Sequence, residues 1–594
     1  LCPRFVRKLQ IWRCCMNEKR LFLSHVLAAA GKQLFRGALL GGGGTTDVGF
    51  YYDFHLPHTA DAVELQALEQ KMRELLDNGA LRQYPAHRAE IRRRLEEAGE
   101  GFRVEALDAL PDEPADERQN LWLVEGPDIV DFSRSQLPTG SDLALKLETV
   151  SGAYWMGDES RPMLTRIGGI AFESAGALSA FEEAREETAS RDHRQLGRRL
   201  GLFTVAEEVG KGLPMLLPGG AAIRRELERF IIDEELTRGY EQVYTPVLGR
   251  KELYETSGHL AHYRESMYPP VTVDGEQYIL RPMTCPHHFM LYKSSPRSHR
   301  ELPIRYTEIS PLYRKERSGE LYGLVRIMSF HLADSHIMCR ADQVEREFLQ
   351  VLDLVQFVMR TLGLEEDCTY RASLGSPDEE KLAGRGWREA ERLLLAAVET
   401  AGLQCDTAPG EAAFYGPKLD VQMRNIHGKE ETVFTIQIDM VLPERFEMDY
   451  QDSGGVRRRP VVIHRSSVGC IERTMAFLIE KYAGALPLWI APVQLRLLPV
   501  NDAVTAYAKE VMSRLRRLRL RIDTDNRSGP LGRRLHAARE KLVPYIGIVG
   551  PKEADGATVS ILNRDTGRQT EYSLEELALR LSGERNRRSL ELGL

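Results

Sequence analysis

The spacing of hydrophobic and polar positions divides this chain into four blocks. In residues 17–175, apolar residues at helical spacing in ELQALEQKMRELLDNGAL and AHRAEIRRRLEEAG alternate with short apolar runs, FRVEAL and LWLVEG, that read as strands. That is an α+β pattern. Residues 176–199 are highly charged and carry neither proline nor glycine between Ala177 and Leu196, which predicts one helix acting as a rigid spacer. In residues 200–487, AAIRRELERFIIDEELTRGYEQVYTPVL predicts a long helix followed by a strand containing Pro246, and antiparallel strand patterns follow. Residues 488–594 alternate strand and helix (QLRLLPV, LRLRID, PYIGIVG), then give a hairpin and a last helix, predicting a small α/β domain with a mixed sheet.

Composition narrows the picture. With 594 residues and 42% apolar content, the chain reads as an ordinary multidomain globular protein. A net charge of −7 restricts nucleic-acid contact to local basic patches, such as RLRRLRLR at 514–521, one side of which could face phosphate. Eight irregularly spaced cysteines exclude a secreted disulfide scaffold, and no apolar run approaches bilayer length, so a cytoplasmic location with no membrane contact is expected. PDEPADE at 111–117 reads as a surface loop. Residues 1–16, basic and free of acids before Met16, read as a non-native or disordered leader.

Three distant residues carry candidate chemistry: Cys285 in RPMTCPHH, His336 in SFHLADSHIMC and His464 in VVIHRSSVGCIER. One thiolate and two imidazoles are three of the four ligands of tetrahedral zinc, and the fourth position is what a substrate-binding zinc leaves open. The alternative is a buried cysteine with two hydrogen-bonded histidines; Cys339 reads as ordinary core. Between the first two strings, RYTEISPLYRKERSGELYGLVR predicts strand–loop–strand and carries Arg314, Glu316 and Arg326. Arg473 follows in GCIER. Attack of a carboxylate on the α-phosphate of ATP needs positive charge on both sides of phosphorus, and arginine offers a fixed fork where lysine offers a point charge.

Taken in order, the long helix with its proline strand, RKERSG between two strands and G-x-x-x-R entering a helix resemble the three signature motifs of class II aminoacyl-tRNA synthetases. TCPHH, DSHIMC, EAAFYGPK, TIQID and IHR-x-x-x-G-x-x-ER, with SGAYWMGD upstream, are similar to threonyl-tRNA synthetases over residues 20–594, without that family's amino-terminal ubiquitin-like domain. The resemblance implies an α+β architecture: an editing-like domain (17–175), a linker helix (176–199), an antiparallel-sheet catalytic core (200–487) and an anticodon-binding domain (488–594). It implies Zn²⁺ on Cys285, His336 and His464, with threonine completing the shell through its amino and hydroxyl groups. ATP with Mg²⁺ would meet Arg314, Glu316, Arg326 and Arg473. Asp334, Tyr415, Lys418 and Gln437 would line the substrate, and His259 would help deprotonate the terminal ribose of tRNA. Pro246 and its long helix would form a homodimer seam.

Departures from the family pattern matter as much. The editing signature, H-x-x-x-H plus a later Cys and His, survives here only as His25; Leu21, Ser133 and Leu137 occupy the other positions, so loss of seryl-tRNA hydrolysis is expected. Leu332 stands where the family has glutamine beside the substrate. Glu553 matches one anticodon-reading position, but its arginine partner aligns with Leu562 or is displaced to Arg564. The expected function is therefore an ATP-dependent threonine–tRNA ligase without serine editing. Alternatives are a paralogue activating threonine or an analogue, for natural-product assembly or inhibitor resistance, and a non-catalytic tRNA-binding protein.

Overall fold

A computed structural model describes residues 3–58, 60–111, 121–138, 143–376 and 385–594. The chain forms two compact units divided between Glu186 and Glu187. All but the first residue of the acidic PDEPADE stretch lie outside the described residues. Among those residues, no helix is long and apolar enough to cross a membrane.

The first unit opens with the helix Pro3–Leu34. Residues 3–16, expected as a non-native or disordered leader, lie in that helix, which corrects the disordered alternative. Its Leu23, Val26 and Leu27 pack on Phe50, Tyr52 and Phe54 of a four-stranded antiparallel sheet ordered Leu39–Thr45, Gly49–His55, Met163–Phe172, Ala144–Tyr154. A second sheet pairs Arg82–Ala86, Leu121–Gly126 and Ile129–Ser133. LWLVEG is a strand as expected, but FRVEAL lies in the helix Gly101–Asp108. Helical spacing buries Arg103 and Leu107 together there, and so short an apolar run does not distinguish the two periods.

The expected single linker helix is two, Ala175–Arg191 and His193–Leu200. Asp192 ends the first and caps the second, its carboxylate accepting from Arg194 N–H at 2.7 Å.

The second unit is built on an eight-stranded sheet ordered Glu241–Gln242, Ile304–Tyr313, Ser329–Cys339, Val461–Cys470, Glu430–Asp439, Lys418–Arg424, Cys368–Leu374, Cys405–Pro409. Only the two edge pairs are parallel, and the helices Pro218–Thr237, Val344–Leu362 and Ile471–Lys481 pack into its main core. Pro246 lies in no strand: it falls between Glu241–Gln242 and Leu248–Arg250, because a proline nitrogen cannot donate to a ladder. Residues 495–573 form a five-stranded mixed sheet with parallel pairs at one end and antiparallel pairs at the other, as the alternation predicts.

Candidate active site

Antiparallel register places His336 directly opposite His464, and His464 opposite Gln437 on the next strand. Paired residues share a face, so three central strands present these side chains together. Cys285, the first residue of the helix Cys285–Lys293, completes the group. One donor atom from each of Cys285, His336 and His464 lies within 4.8 Å of the others, all three residues being buried.

The donors are bare where a cation would sit. His464 Nε2–H donates to Asp439 Oδ2 at 2.8 Å, which leaves the Nδ1 lone pair free, and Nδ1 has no protein partner. His336 Nδ1 contacts His288 Nδ1 at 2.8 Å, while its Nε2 has no partner. Asp334 Oδ2 is likewise buried and unpartnered. Burial pushes the Cys285 thiol well above its ordinary range and holds the His336 imidazole well below its own. Two neutral nitrogen lone pairs beside a thiol, each backed by a hydrogen bond or an element terminus, are a donor set that fits zinc.

A cleft of about 270 Å³ opens beside this group, with Arg314, Arg473, Glu316, Asp334 and Gln437 in its walls. Arg314 donates to Pro282 O at 3.4 Å and contacts Met283 sulfur at 3.0 Å. Arg473 donates to Val325 O at 3.1 Å and Thr432 O at 2.8 Å. Among the described residues neither guanidinium meets a carboxylate, and burial depresses that of Arg314. Two uncompensated arginines facing one cleft suit a polyphosphate. Glu316 accepts from Arg326 Nε at 2.8 Å, and Arg326 also reaches Glu320 at 2.8 Å.

Residues 271–482 match the family model of the tRNA synthetase class II core domain (G, H, P, S and T), and residues 494–584 match the anticodon binding domain. The threonine–tRNA ligase of Clostridium perfringens (strain SM101 / Type A) is 43% identical over 566 residues, 94% of this chain and 87% of that protein. Threonine–tRNA ligase 1 of Bacillus subtilis (strain 168) is 42% identical over 560 residues, 93% of this chain and 86% of that protein. The chain belongs to the threonine–tRNA ligases. It is an aminoacyl-tRNA ligase with a class II core. The crystal structure of the RNA binding domain of threonyl-tRNA synthetase from Cryptosporidium parvum Iowa II is similar, with a TM-score of 0.62 and 33% identity over 68% of this chain and 99% of that one.

The ligase's other expected site residues divide. Tyr415 donates to Gln437 Oε1 at 2.8 Å and packs its ring 5.0 Å from that of His464. His259 lies in the cleft wall, 2.7 Å from Ser257 Oγ and 4.0 Å from Cys285 Sγ, and burial pushes its imidazole down to about 3. Lys418 is not in the cleft wall; its ammonium sits 2.6 Å from Asp420. Leu332 is in the wall and joins an apolar cluster of Leu312, Ile327, Phe330 and Cys470. Sequence reasoning missed His288, Glu308 and Asp439 behind the imidazoles. TCPHH and TIQID contain two of them, but as strings they do not show which residue backs which. Asp192, His193 and Glu480 also cluster. There His193 donates to Glu480 at 2.6 Å and accepts from Leu324 N–H at 3.0 Å, which leaves no lone pair for a metal.

In the first unit of the ligase, His25 is buried and its Nδ1 lies 2.8 Å from Asp131, which also accepts from Tyr52 at 2.7 Å and Arg103 at 2.6 Å. Leu137 is buried in the same apolar core against which Leu21 packs, and Ser133 accepts from Ser135 N–H at 3.4 Å. In the carboxy-terminal region, Glu553 accepts from Gly550 N–H at 2.9 Å and so caps the helix Pro551–Gly556. Leu562 is buried with Leu498, Ala538 and Ile546. Arg564 donates to the carbonyls of Leu486 and Leu542 at 3.0 and 3.1 Å. Within the basic run, Arg521 points inward, 2.7 Å from the carbonyls of Trp489 and Ala491 and 3.0 Å from Glu226.

Proposed function

We propose that this chain activates threonine with ATP and transfers it to tRNA, through a zinc-based substrate site at Cys285, His336 and His464. The observation that carries this reading is the convergence of unpartnered His336 Nε2, His464 Nδ1 and Asp334 Oδ2 with Cys285 beside two arginines without counter-ions. Zinc held by the three ligands would bind the amino and hydroxyl groups of threonine, a bond that isosteric valine cannot make, and a site built for a hydroxyl discriminates by about 10⁴. Asp334 accepts from the substrate hydroxyl, and Tyr415 and Gln437 bound the amino-acid pocket. Arg314 and Arg473 bracket the α-phosphate as the carboxylate attacks, with Mg²⁺ accompanying the pyrophosphate. Glu316, held by Arg326, accepts from the adenine amino group. His259, kept neutral by burial, is placed to assist transfer to the tRNA ribose.

Purified wild type should carry about one zinc per chain and support threonine-dependent ATP–pyrophosphate exchange. Cys285→Ser should lose both while keeping its thermal unfolding profile. Metal-free protein with full exchange activity would sink the zinc reading.

A homodimer seam along Pro246 and the Pro218–Thr237 helix is supported by exposed Tyr244, Leu248 and Leu236.

A further inference from the structure

Behind His336 lies a buried hydrogen-bond chain that the reaction as described does not use. Glu308 is its hub. Its Oε1 accepts from Arg281 Nη2 at 2.8 Å; its Oε2 accepts from Thr245 Oγ1 at 2.7 Å and faces His288 Nε2 at 3.3 Å. Arg281 is itself fixed, donating to Thr245 Oγ1 at 2.6 Å and Pro311 O at 2.8 Å. The other nitrogen of His288 lies 2.8 Å from His336 Nδ1. Arg281, His288, Glu308 and His336 are all buried.

The carboxylate end orients the protons along this chain. A carboxylate accepts and cannot donate, so His288 carries its proton on Nε2. In that single-proton tautomer His288 offers Nδ1 as an acceptor, and the 2.8 Å contact then has His336 donating from its own Nδ1. His336 Nε2 is left with its lone pair, and it is the nitrogen without a protein partner. We propose that Glu308, acting through His288, sets the tautomer that makes His336 a metal ligand. Both are positioning residues, one and two steps removed from the metal, and the assignment rests on the zinc reading above.

The opposite tautomer is one isosteric change away. In Glu308→Gln, Arg281 can only donate, so the new side-chain carbonyl must face Arg281 and the amide NH₂ must face His288. His288 would then accept at Nε2 and carry its proton on Nδ1. His336 would accept at Nδ1, and its own proton would occupy Nε2, where the cation belongs. Loss of such an outer hydrogen bond costs about 10- to 100-fold in metal affinity.

The test uses the full chain. Zinc content and the rate of zinc release to a chelator are measured for wild type, Glu308→Gln, His288→Leu and His288→Gln, with thermal unfolding alongside. Histidine ¹⁵N shifts are recorded on the zinc-stripped proteins. Glu308→Gln and His288→Leu should release zinc roughly 10- to 100-fold faster, and Glu308→Gln should move the His336 proton from Nδ1 to Nε2. His288→Gln should retain zinc, because its amide can accept from His336 and donate to Glu308. Wild-type release rates with an unchanged His336 tautomer in Glu308→Gln would overturn the relay. So would wild-type zinc retention in His288→Leu, which keeps the test decisive if the first variant does not fold. Absence of zinc from wild type would instead sink the parent reading, while the ¹⁵N shifts would still decide whether Glu308 controls the tautomer.

Discussion

At the two cleft arginines, fixed positive charge is held without a counter-ion, which costs stability unless an anion arrives. Arg314→Lys keeps the charge but loses the fork, so pyrophosphate exchange should fall by about 10²-fold, the loss of one transition-state contact, with unfolding unchanged. A near-normal rate would make Arg314 structural. Asp131 is the converse, a buried charge with every partner in place. Burial alone would raise its carboxyl, but Arg103, His25 and Tyr52 outweigh burial and hold it below the usual carboxylate range. Its folded pKa lies under the unfolded value of about 3.9, so its stabilising effect is complete above that value and is lost as pH falls below it. Hydrogen exchange in the first unit should therefore accelerate below about pH 4. Asp131→Asn should remove that acid step and cost about 3–5 kcal/mol at neutral pH, because Arg103 stays buried without its partner. The residues that converge at the candidate site stand out in sequence, since Cys285, His336 and His464 lie in distinctive strings. Glu308 was not, because its role exists only when strand pairing brings it behind His288.

Elements were legible wherever the apolar period was long, as in the helices Ala62–Asp77 and Pro218–Thr237. They failed where tertiary contacts decide. FRVEAL became helix because Arg103 pairs with Asp131, and the linker broke because Asp192 caps a new helix. That break has a consequence for the cleft. His193 holds Leu324 N–H, Gly323 has φ +49°, and a Cβ on Gly323 would overlap His193 Nε2. The same loop offers Val325 O to Arg473 and carries Arg326. His193→Ala and Gly323→Ala should each raise the KM for ATP about tenfold, the worth of an unmade buried hydrogen bond, while threonine KM and zinc content stay put. A uniform loss of all three would mark the contact as structural only.

Across the whole molecule, the class II core and the mixed carboxy-terminal sheet were legible, while the wiring of the first unit was not, because no string predicts that His25 faces Asp131. With Leu21 and Leu137 filling apolar core, this threonine–tRNA ligase should leave seryl-tRNA intact. Serine lacks only a methyl, worth about 1–3 kcal/mol, so mischarging should accumulate when threonine is scarce. Rapid seryl-tRNA hydrolysis that disappears in His25→Ala would show a working site. The pairing of His336 with His464 carries one last implication. The two strands are separated in sequence by the Val344–Leu362 helix and four other strands of the same sheet, so the ribosome releases Cys285 and His336 well before their third companion. A slip of one residue in the late strand would turn His464 to the opposite face. On the zinc reading proposed above, the full donor set would therefore exist only in a chain whose late strand has paired in register.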